Sequence, residues 1–324
     1  MAATTCVDFP ATQCRFLEKA VIQLLSYFLI KAMLWCLSLM PLPMVHAIAT
    51  AWGRLLYLLP TKARDTTCKN LHHCFPDNDA DDIQQLILAS LINTACTVLE
   101  MGKAWLAPAD TMLSLVVSEQ GYEEFQRAVQ SDAGVILLAP HLGNWEIFGF
   151  HACQGLASSF MYQPPRIAGL DRLLREVRSR TGIRLAPTSR KGIAELLLAL
   201  KHGELVGILP DQVPNNANGV FAPFYGQPAF TMTLVSRLVQ RTGARVFCGY
   251  AERLPGGQGF NAVFLSADSA IYSEDLLESV TALNRCVEMA VDGALTQYQW
   301  EYKRFRRQPD NSEFYRVNRL TPGK

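Results

Sequence analysis

The 324 residues of this chain include 30 lysines and arginines and 29 aspartates and glutamates, and 49% of the residues are apolar. The formal net charge of +1 excludes a chain-wide electrostatic attraction to nucleic acid. The apolar content is sufficient for a sizeable core and excludes a disordered or fibrous protein. The nine cysteines are an odd number and form no Cys-x-x-Cys pair, which predicts a reduced, cytoplasmic setting without a metal site.

From residue 21 to residue 59 the only charged side chains are Lys31 and Arg54. The uncharged stretch between them is about as long as the roughly 20 residues that a membrane-spanning helix requires. Pro41 and Pro43 interrupt it, which favours two shorter apolar helices meeting near Pro41 over one straight helix. Residues 1–60 are therefore predicted to anchor the chain in a membrane. The alternative for the same residues is a buried helical hairpin of a soluble protein.

The remainder, residues 61–324, is predicted to be one domain with three parts. A helical lead-in covers residues 61–130, and its long helix is expected to begin at a cap formed by Asp79 or Asp81 and to run past Glu100. A core follows over residues 131–300, and residues 301–324 form a basic C-terminal tail.

Short β-rich runs alternate with helical segments in the core. The predicted strands are GVILLAP, ASSFMY, IRLAP, LVGILP and ARVFCGYA, and a hairpin turn at LPGGQG leads into a further antiparallel strand, FNAVFLS. This alternation predicts an α/β fold with a mainly parallel twisted sheet flanked by helices. The later stretch VPNNANGVFAPFYGQPAF has too many turn residues for a strand and is predicted to be a loop, either lining a substrate site or forming an ordinary surface connection.

The strand GVILLAP is followed directly by His141, and Glu146 comes five residues later. Ligands of open parallel sheets bind beyond the carboxyl ends of the strands, where His141 is expected. Gly143 permits a tight turn and Asn144 can cap a new helix, so Glu146 lies in its first turn and can reach back to His141. An imidazole held by a carboxylate is a base that can deprotonate a hydroxyl.

Two alternatives weaken an argument from spacing alone. His72 and Asp77 have the same spacing but follow no strand, and His141 could also be a core histidine bonded to a backbone carbonyl.

The G-x-S-x-G pattern of a serine nucleophile is absent, and Cys153 lies on an expected packed helix face. Direct transfer to an acceptor hydroxyl is therefore favoured over a covalent enzyme intermediate.

Several quoted stretches together resemble one family. GVILLAPHLGNWE, MYQPPRIAGLDRLLREVRSRTGIRLAP, GILPDQVPNNANGVFAPFYGQPAFT and YQWEYKRFRRQP resemble the bacterial lipid A late acyltransferases, the lauroyl and myristoyl acyltransferase family. The resemblance implies a glycerolipid acyltransferase-like fold at the cytoplasmic face of the bacterial inner membrane. It also implies transfer of a fatty acyl chain from acyl carrier protein to a hydroxyl of a phosphorylated glycolipid, a lipid A precursor, with no cofactor.

The resemblance assigns His141 and Glu146 as the catalytic pair. It makes Arg178, in the segment RSRTG, the candidate contact for substrate phosphate, with Arg166 as the second choice. The predicted substrate-binding set is completed by Asn144, Asp211 and Gln212. A basic segment supports a phosphate partner, since Asp171 and Glu176 oppose a larger number of cations. These cations are Arg166, Arg172, Arg175, Arg178, Arg180, Arg184, Arg190 and Lys191.

The basic tail, with Lys303, Arg304, Arg306 and Arg307, is expected to meet anionic lipid headgroups or the carrier protein. Three other functions remain open from sequence. One is acyl transfer to another membrane lipid, such as a lysophospholipid or an aminolipid. The others are a catalytically silent lipid-binding protein of the same fold and hydrolysis of the thioester without an acceptor.

Overall fold

The computed structural model describes residues 26–164, 168–180, 182–215 and 218–316. The helices are α1 (Ser26–Leu39), α2 (Leu42–Leu58), α3 (Lys62–Cys74), α4 (Ala80–Leu106), α5 (Ala109–Leu113), α6 (Tyr122–Val129), α7 (Trp145–Ala152), α8 (Ala168–Arg180), α9 (Arg190–Lys201), α10 (Leu234–Thr242) and α11 (Leu276–Gly293). The strands are β1 (Val116–Gln120), β2 (Val135–Leu138), β3 (Ser158–Tyr162), β4 (Arg184–Pro187), β5 (Leu205–Ile208), β6 (Gly219–Phe224), β7 (Gln227–Met232), β8 (Arg245–Arg253) and β9 (Phe260–Ser266).

Seven strands form one sheet in the order β1-β9-β8-β2-β5-β3-β4. The five strands from β8 to β4 are parallel, whereas β9 runs antiparallel to β8 and β1 runs parallel to β9. Helices flank the sheet, which confirms the predicted α/β fold with a mainly parallel sheet. The antiparallel β9 follows the turn at Pro255–Gly257, as the LPGGQG sequence predicts.

Strand β2 lies at the centre of the sheet, and all four of its side chains are fully buried. Successive strand residues point to opposite faces. Ile136 and Leu138 therefore pack into the core on one face, and Val135 and Leu137 pack into the core on the other. This double burial explains why β2 reads as a continuous apolar run.

The predicted loop over residues 213–230 is wrong for most of its length. Strands β6 and β7 pair there as a separate antiparallel sheet. Tyr225 and Gly226 both have positive φ, at 48° and 73°, which is the backbone geometry of a tight hairpin turn. Pro223 and Pro228 face each other in this two-stranded sheet, where both strands are edges and tolerate proline. The turn residues that argued against strands therefore form the hairpin itself.

The N-terminal helices α1 and α2 lie on either side of Pro41, as the proline pair predicts. Lys103 Nζ on α4 donates to Ser38 O, and the buried face of α2 packs on α4. The opposite surface exposes large apolar side chains, which we call the N-terminal apolar face. It consists of Phe28, Leu29, Met33, Trp35, Leu39, Met44, Ile48, Trp52, Leu55, Leu58 and Leu59.

By length and composition, α4 alone among the single described helices could cross a membrane. In the most apolar 18-residue stretch of α4, 56% is buried inside the protein, so α4 behaves as a core helix. Helices α2 and α3 satisfy the same criterion only as a pair, and they are bent by 79° at the break between them.

A buried polar cluster ties these helices to the sheet. Glu100 on α4 is fully buried and accepts hydrogen bonds from Arg253 on β8, from His46 on α2 and from Asn144, which precedes α7. Burial opposes the charged form of Glu100, but the Arg253 guanidinium outweighs it and lowers the pKa of Glu100 to about 2. Four elements thus meet at one ionised carboxylate.

Removing Arg253 would leave Glu100 buried without its cation. We predict that Arg253→Met lowers the free energy of unfolding by about 3–5 kcal/mol. The matched control is Arg285→Met, because Arg285 forms a half-exposed ion pair with Asp268 and should cost less than about 1 kcal/mol. Urea unfolding of the purified variants measures both changes. Equal, small effects would contradict a structural role for the buried cluster.

Candidate active site

Two neighbouring strands deliver the central residues of the site. Leu138, the last residue of β2, is the register partner of Ile208, the last residue of β5. Each strand continues through one residue and a proline, so His141 and Asp211 both lie three residues beyond this pair. Because β2 and β5 are parallel, the two residues emerge side by side at the carboxyl edge of the sheet.

Asp211 holds His141 through both carboxylate oxygens. The His141 backbone N–H donates to Oδ2 at 2.8 Å, and Nδ1 lies 2.8 Å from Oδ1. An ionised carboxylate only accepts, so the ring proton resides on Nδ1. The second ring nitrogen, Nε2, then carries the lone pair, and it lies 3.2 Å from the side-chain amide nitrogen of Gln212. The imidazole is thus fixed in one tautomer, with its basic nitrogen on the side away from Asp211.

The charges around His141 favour its protonated form. Burial by itself lowers the pKa of this imidazole, but the charge and hydrogen bond of Asp211, together with the charges of Glu301 and Glu146, outweigh burial. The pKa of His141 is therefore raised above its ordinary value of 6.5. Burial likewise opposes the ionised form of Asp211, but His141 outweighs it and lowers the pKa of that carboxyl.

Glu146 has a different partner from the one predicted. Both of its carboxylate oxygens accept hydrogen bonds from Arg178 Nη2 on α8, each at 2.7 Å. The predicted role of Glu146, to orient His141, is filled in this structure by Asp211. The reason is geometric, since Asp211 leaves a strand adjacent to β2 whereas Glu146 lies in the first turn of α7 and faces α8. Glu146 acts on His141 through its charge.

The turn between His141 and Glu146 is fixed by contacts and hydrogen bonds at Gly143 and Asn144. Gly143 has φ +58°, and a Cβ there would lie 2.0 Å from Ala251 O, so only glycine fits. Its N–H donates to Gln297 O, and Thr97 Oγ1 donates to its carbonyl. The Asn144 N–H donates to Ala251 O. Local preorganisation of this kind keeps a catalytic residue in productive geometry.

A narrow cavity adjoins the Glu146–Arg178 pair, and its water-accessible volume is only about 10 Å³, the space of about one water molecule. Its remaining lining is apolar and lies at the carboxyl ends of β2 and β5 and under α7. The apolar lining residues are Ala139, Trp145, Gly149, Phe150, Phe160, Ile183 and Leu209. Trp145 also contacts the His141 ring edge-on, with centroids 4.8 Å apart. The apolar lining therefore lies against the imidazole, although the space it encloses is too small for an acyl chain.

Comparisons with known proteins identify the family of the chain. The family model described as bacterial lipid A biosynthesis acyltransferase matches residues 16–307. The chain belongs to this acyltransferase family. It is 23% identical to the lipid A biosynthesis lauroyltransferase of Escherichia coli K12 over 86% of this chain and 90% of the relative. It is 25% identical to the lipid A biosynthesis palmitoleoyltransferase of the same organism, over 85% and 89%. A lipid A biosynthesis acyltransferase of Haemophilus influenzae is 24% identical over 84% and 87%.

The acyltransferase brings several predicted site residues together and uses others differently. Asp211 and Gln212 both contact the His141 ring. Asn144, predicted to bind substrate, is fully buried; its side chain caps α7 at the Ile147 N–H and donates to Glu100. Arg166, the second candidate for phosphate, lies outside the described residues.

The basic residues of the acyltransferase are largely engaged. Arg178 holds Glu146, and its neighbours form ion pairs along or near α8: Arg172 with Glu176, Arg175 with Asp171, and Arg184 with Glu204. In the basic tail, Arg304 is buried and donates to Phe230 O and Thr231. The expectation that all four tail cations are free for lipid or carrier protein is therefore wrong for Arg304.

The segment after α11 supplies contacts that sequence reasoning missed. The Gln299 N–H donates to His141 O, the Tyr302 hydroxyl accepts from the Val213 N–H, and Glu301 accepts from Thr94. Burial raises the pKa of Glu301 above its ordinary value. The signal for Asp211 was present in the repeated strand-x-Pro pattern of LLAPH and GILPD, whereas nothing in the local pattern of residues 297–302 links them to His141.

The pairing of His141 with Asp211 predicts how the imidazole titrates. In Asp211→Asn the largest interaction that raises the pKa of His141 is lost, so this pKa should fall. In Glu146→Gln a smaller charge interaction is lost and the pKa should fall less. Nuclear magnetic resonance titration of the His141 ring measures both. A larger shift in Glu146→Gln than in Asp211→Asn would assign the orienting carboxylate to Glu146 instead.

Proposed function

We propose that this acyltransferase moves a fatty acyl chain from the thioester of acyl carrier protein to a hydroxyl of a phosphorylated lipid A precursor, with His141 as the general base. The observation that supports the proposal most is the Asp211-held imidazole at the carboxyl edge of the sheet, with Nε2 as its basic nitrogen. The family match supports the acceptor class, and no cofactor is required for this chemistry.

The proton path follows from the tautomer. A hydroxyl arriving at His141 Nε2 displaces the Gln212 amide and loses its proton to that nitrogen as its oxygen attacks the thioester carbon. Asp211 stabilises the imidazolium that forms. The tetrahedral intermediate then collapses, the C–S bond breaks, and the imidazolium returns the proton to the departing thiolate. The amide of Gln212, released from Nε2, is a donor available to the oxyanion.

Glu146 and Arg178 act together in this proposal. The bidentate pair fixes both side chains at the edge of the apolar cavity, next to Trp145. Its charges cancel locally, so the apolar lining borders no net charge there, and an acyl chain entering at this point would have to widen the cavity. Glu146 retains the catalytic assignment implied by the family resemblance, through its charge at His141 and its hold on Arg178, and not as the hydrogen-bond partner of the imidazole.

The N-terminal apolar face is proposed to embed in the cytoplasmic leaflet of the inner membrane. Helix α2 is 17 residues long, so it rises about 26 Å at 1.5 Å per residue, short of the roughly 30 Å hydrocarbon core. One side of α2 is occupied by α4, which favours a helix pair lying in the interface over a straight span. Recovery of the full-length protein in the soluble fraction without detergent would contradict this placement.

The catalytic assignment is tested with purified protein, acyl carrier protein charged with a fatty acid, and a lipid A precursor. We predict that His141→Ala reduces acyl transfer by about 10²- to 10⁴-fold, because the general base is lost. Asp211→Asn should reduce it by about 10²-fold or more, because the tautomer is no longer fixed. Mass spectrometry of the lipid product measures transfer.

The control variant is His72→Ala. His72 is exposed on α3 and shares the His-x-x-x-x-acid spacing of His141, but among the described residues its ring bonds only to Cys68 in the preceding helical turn. It should retain full transfer. Full transfer by His141→Ala would overturn the general-base assignment, and free fatty acid as the sole wild-type product would replace the proposed transfer by hydrolysis.

A further inference from the structure

A phosphorylated substrate needs cations that are not already neutralised, and the basic segment around α8 offers few. Arg178 is held by Glu146. Arg172, Arg175 and Arg184 are likewise paired with carboxylates. A phosphate at Arg178 would have to compete with a buried bidentate carboxylate at 2.7 Å. Among the described residues, cations elsewhere around His141 are therefore better candidates for the phosphate contact than Arg178.

Arg306 lies beside the catalytic loop and forms no ion pair within the part of the chain that the structure describes. Its side chain is exposed, and Nη2 donates to Val213 O at 3.0 Å. Val213 directly follows Gln212, whose amide contacts the imidazole. One guanidinium is thus attached to the same loop that carries Asp211 and Gln212, with its remaining donors available.

Arg307 presents a second guanidinium with an unfilled position. Its central carbon lies 4.1 Å from the centroid of the Phe230 ring on β7, a stacked arrangement that fixes the plane of the group. Its Nη1 atom is buried and has no hydrogen-bond partner among the described residues. A buried donor without an acceptor costs free energy, so an oxygen-rich ligand at this point would gain a charge-assisted bond.

Few negative charges oppose this pair of arginines. Two acidic residues lie near this pair along the chain: burial raises the pKa of Glu301, which favours its neutral form, whereas exposed Asp310 accepts from the Ser312 N–H, which lowers its pKa. The Glu301 carboxyl already accepts from Thr94. Buried Arg304, two residues before Arg306, adds a positive charge, and exposed Lys303 adds another. Four cations between Lys303 and Arg307 therefore outnumber the acidic residues of this segment in a protein of formal charge +1.

We propose that Arg306 and Arg307 form a phosphate subsite beside the catalytic loop, at Val213 and Phe230. The inference rests on the proposed function and specifies how that site recognises its phosphorylated substrate. Two substrates carry a suitable group: the phosphodiester of the pantetheine arm on the acyl donor, and the phosphate monoester on the acceptor sugar. Planar guanidinium pairs bind either group through parallel N–H···O bonds.

The test compares wild type with the double variant Arg306→Gln/Arg307→Gln, using substrates with and without each phosphate. The donors are acyl-phosphopantetheine and acyl-pantetheine, and the acceptors are the phosphorylated lipid and its dephosphorylated form. The variant should raise KM by about 10- to 100-fold for the substrate whose phosphate is bound, with little change in kcat. The same variant should not affect KM for that substrate once its phosphate is removed. The pair of substrates that responds identifies the source of the phosphate.

Two further variants test whether a change in KM comes from the loss of these two positive charges and not from misfolding. Arg306→Lys/Arg307→Lys keeps both charges and should recover part of the affinity. Arg245→Gln removes an exposed arginine at the start of β8, beside Val135 at the opposite edge of the sheet, and should behave as wild type. An unchanged KM, or an equal rise for substrates with and without phosphate, would overturn the subsite.

Failure of the proposed function would be distinguishable from failure of the subsite. If wild type transfers no acyl chain to any acceptor, the proposed function fails, and the subsite is then tested by binding alone. Inorganic phosphate is titrated into wild-type protein, and the Nε–H resonances of Arg306 and Arg307 are followed at constant ionic strength. Shifts of both resonances support the subsite, and unmoved resonances contradict it.

Discussion

The arrangement of the site depends on the contact between Asp211 and His141. One carboxylate bonds both the backbone and the ring of the histidine, which sets the position of the residue and its tautomer together. The contact exists because β2 and β5 pair in a register that places Leu138 opposite Ile208. A shift of one residue in that register would turn one of the two side chains to the other face of the sheet. The placement of His141 beside Asp211 is thus a direct consequence of strand pairing.

The turn that follows His141 is connected to the N-terminal helices through buried polar groups. Asn144 caps α7 with one end of its amide and bonds Glu100 with the other, and Glu100 in turn holds Arg253 and accepts from His46 on α2. The helix that carries the exposed apolar surface is therefore bonded to the carboxylate that supports the catalytic turn. The proposed membrane attachment and the geometry of the candidate site therefore depend on one cluster of hydrogen bonds.

Much of the fold could be predicted from sequence because the buried strands are continuous apolar runs bounded by turn residues. The parallel core, the break at Pro41 and the Asp79 cap of α4 follow from such local signals. Strand β1 was missed because it is short and mostly exposed, so it carries no burial pattern. The β6–β7 hairpin was missed because its prolines and its Tyr225-Gly226 turn dominate the local composition.

The candidate site could be predicted only in part, and the error has a physical reason. The sequence spacing predicted Glu146 as the carboxylate that orients His141. The strand order instead determines which carboxylate lies beside an imidazole at the sheet edge. Asp211 is 70 residues from His141 and belongs to the adjacent strand β5. Arg178, predicted to contact substrate phosphate, pairs with Glu146 and neutralises that carboxylate. Pairings between distant segments required the three-dimensional structure.

The most direct measurement is the pH dependence of kcat/KM for acyl transfer by wild type and Asp211→Asn. His141 must be neutral to accept a proton, so activity should rise with pH through an apparent pKa above 6.5 in wild type. Loss of Asp211 removes the main interaction that raises this pKa, so the rise should move to lower pH while the maximal rate falls. A profile without an acidic limb, or a limb at the same pH in both proteins, would contradict the account.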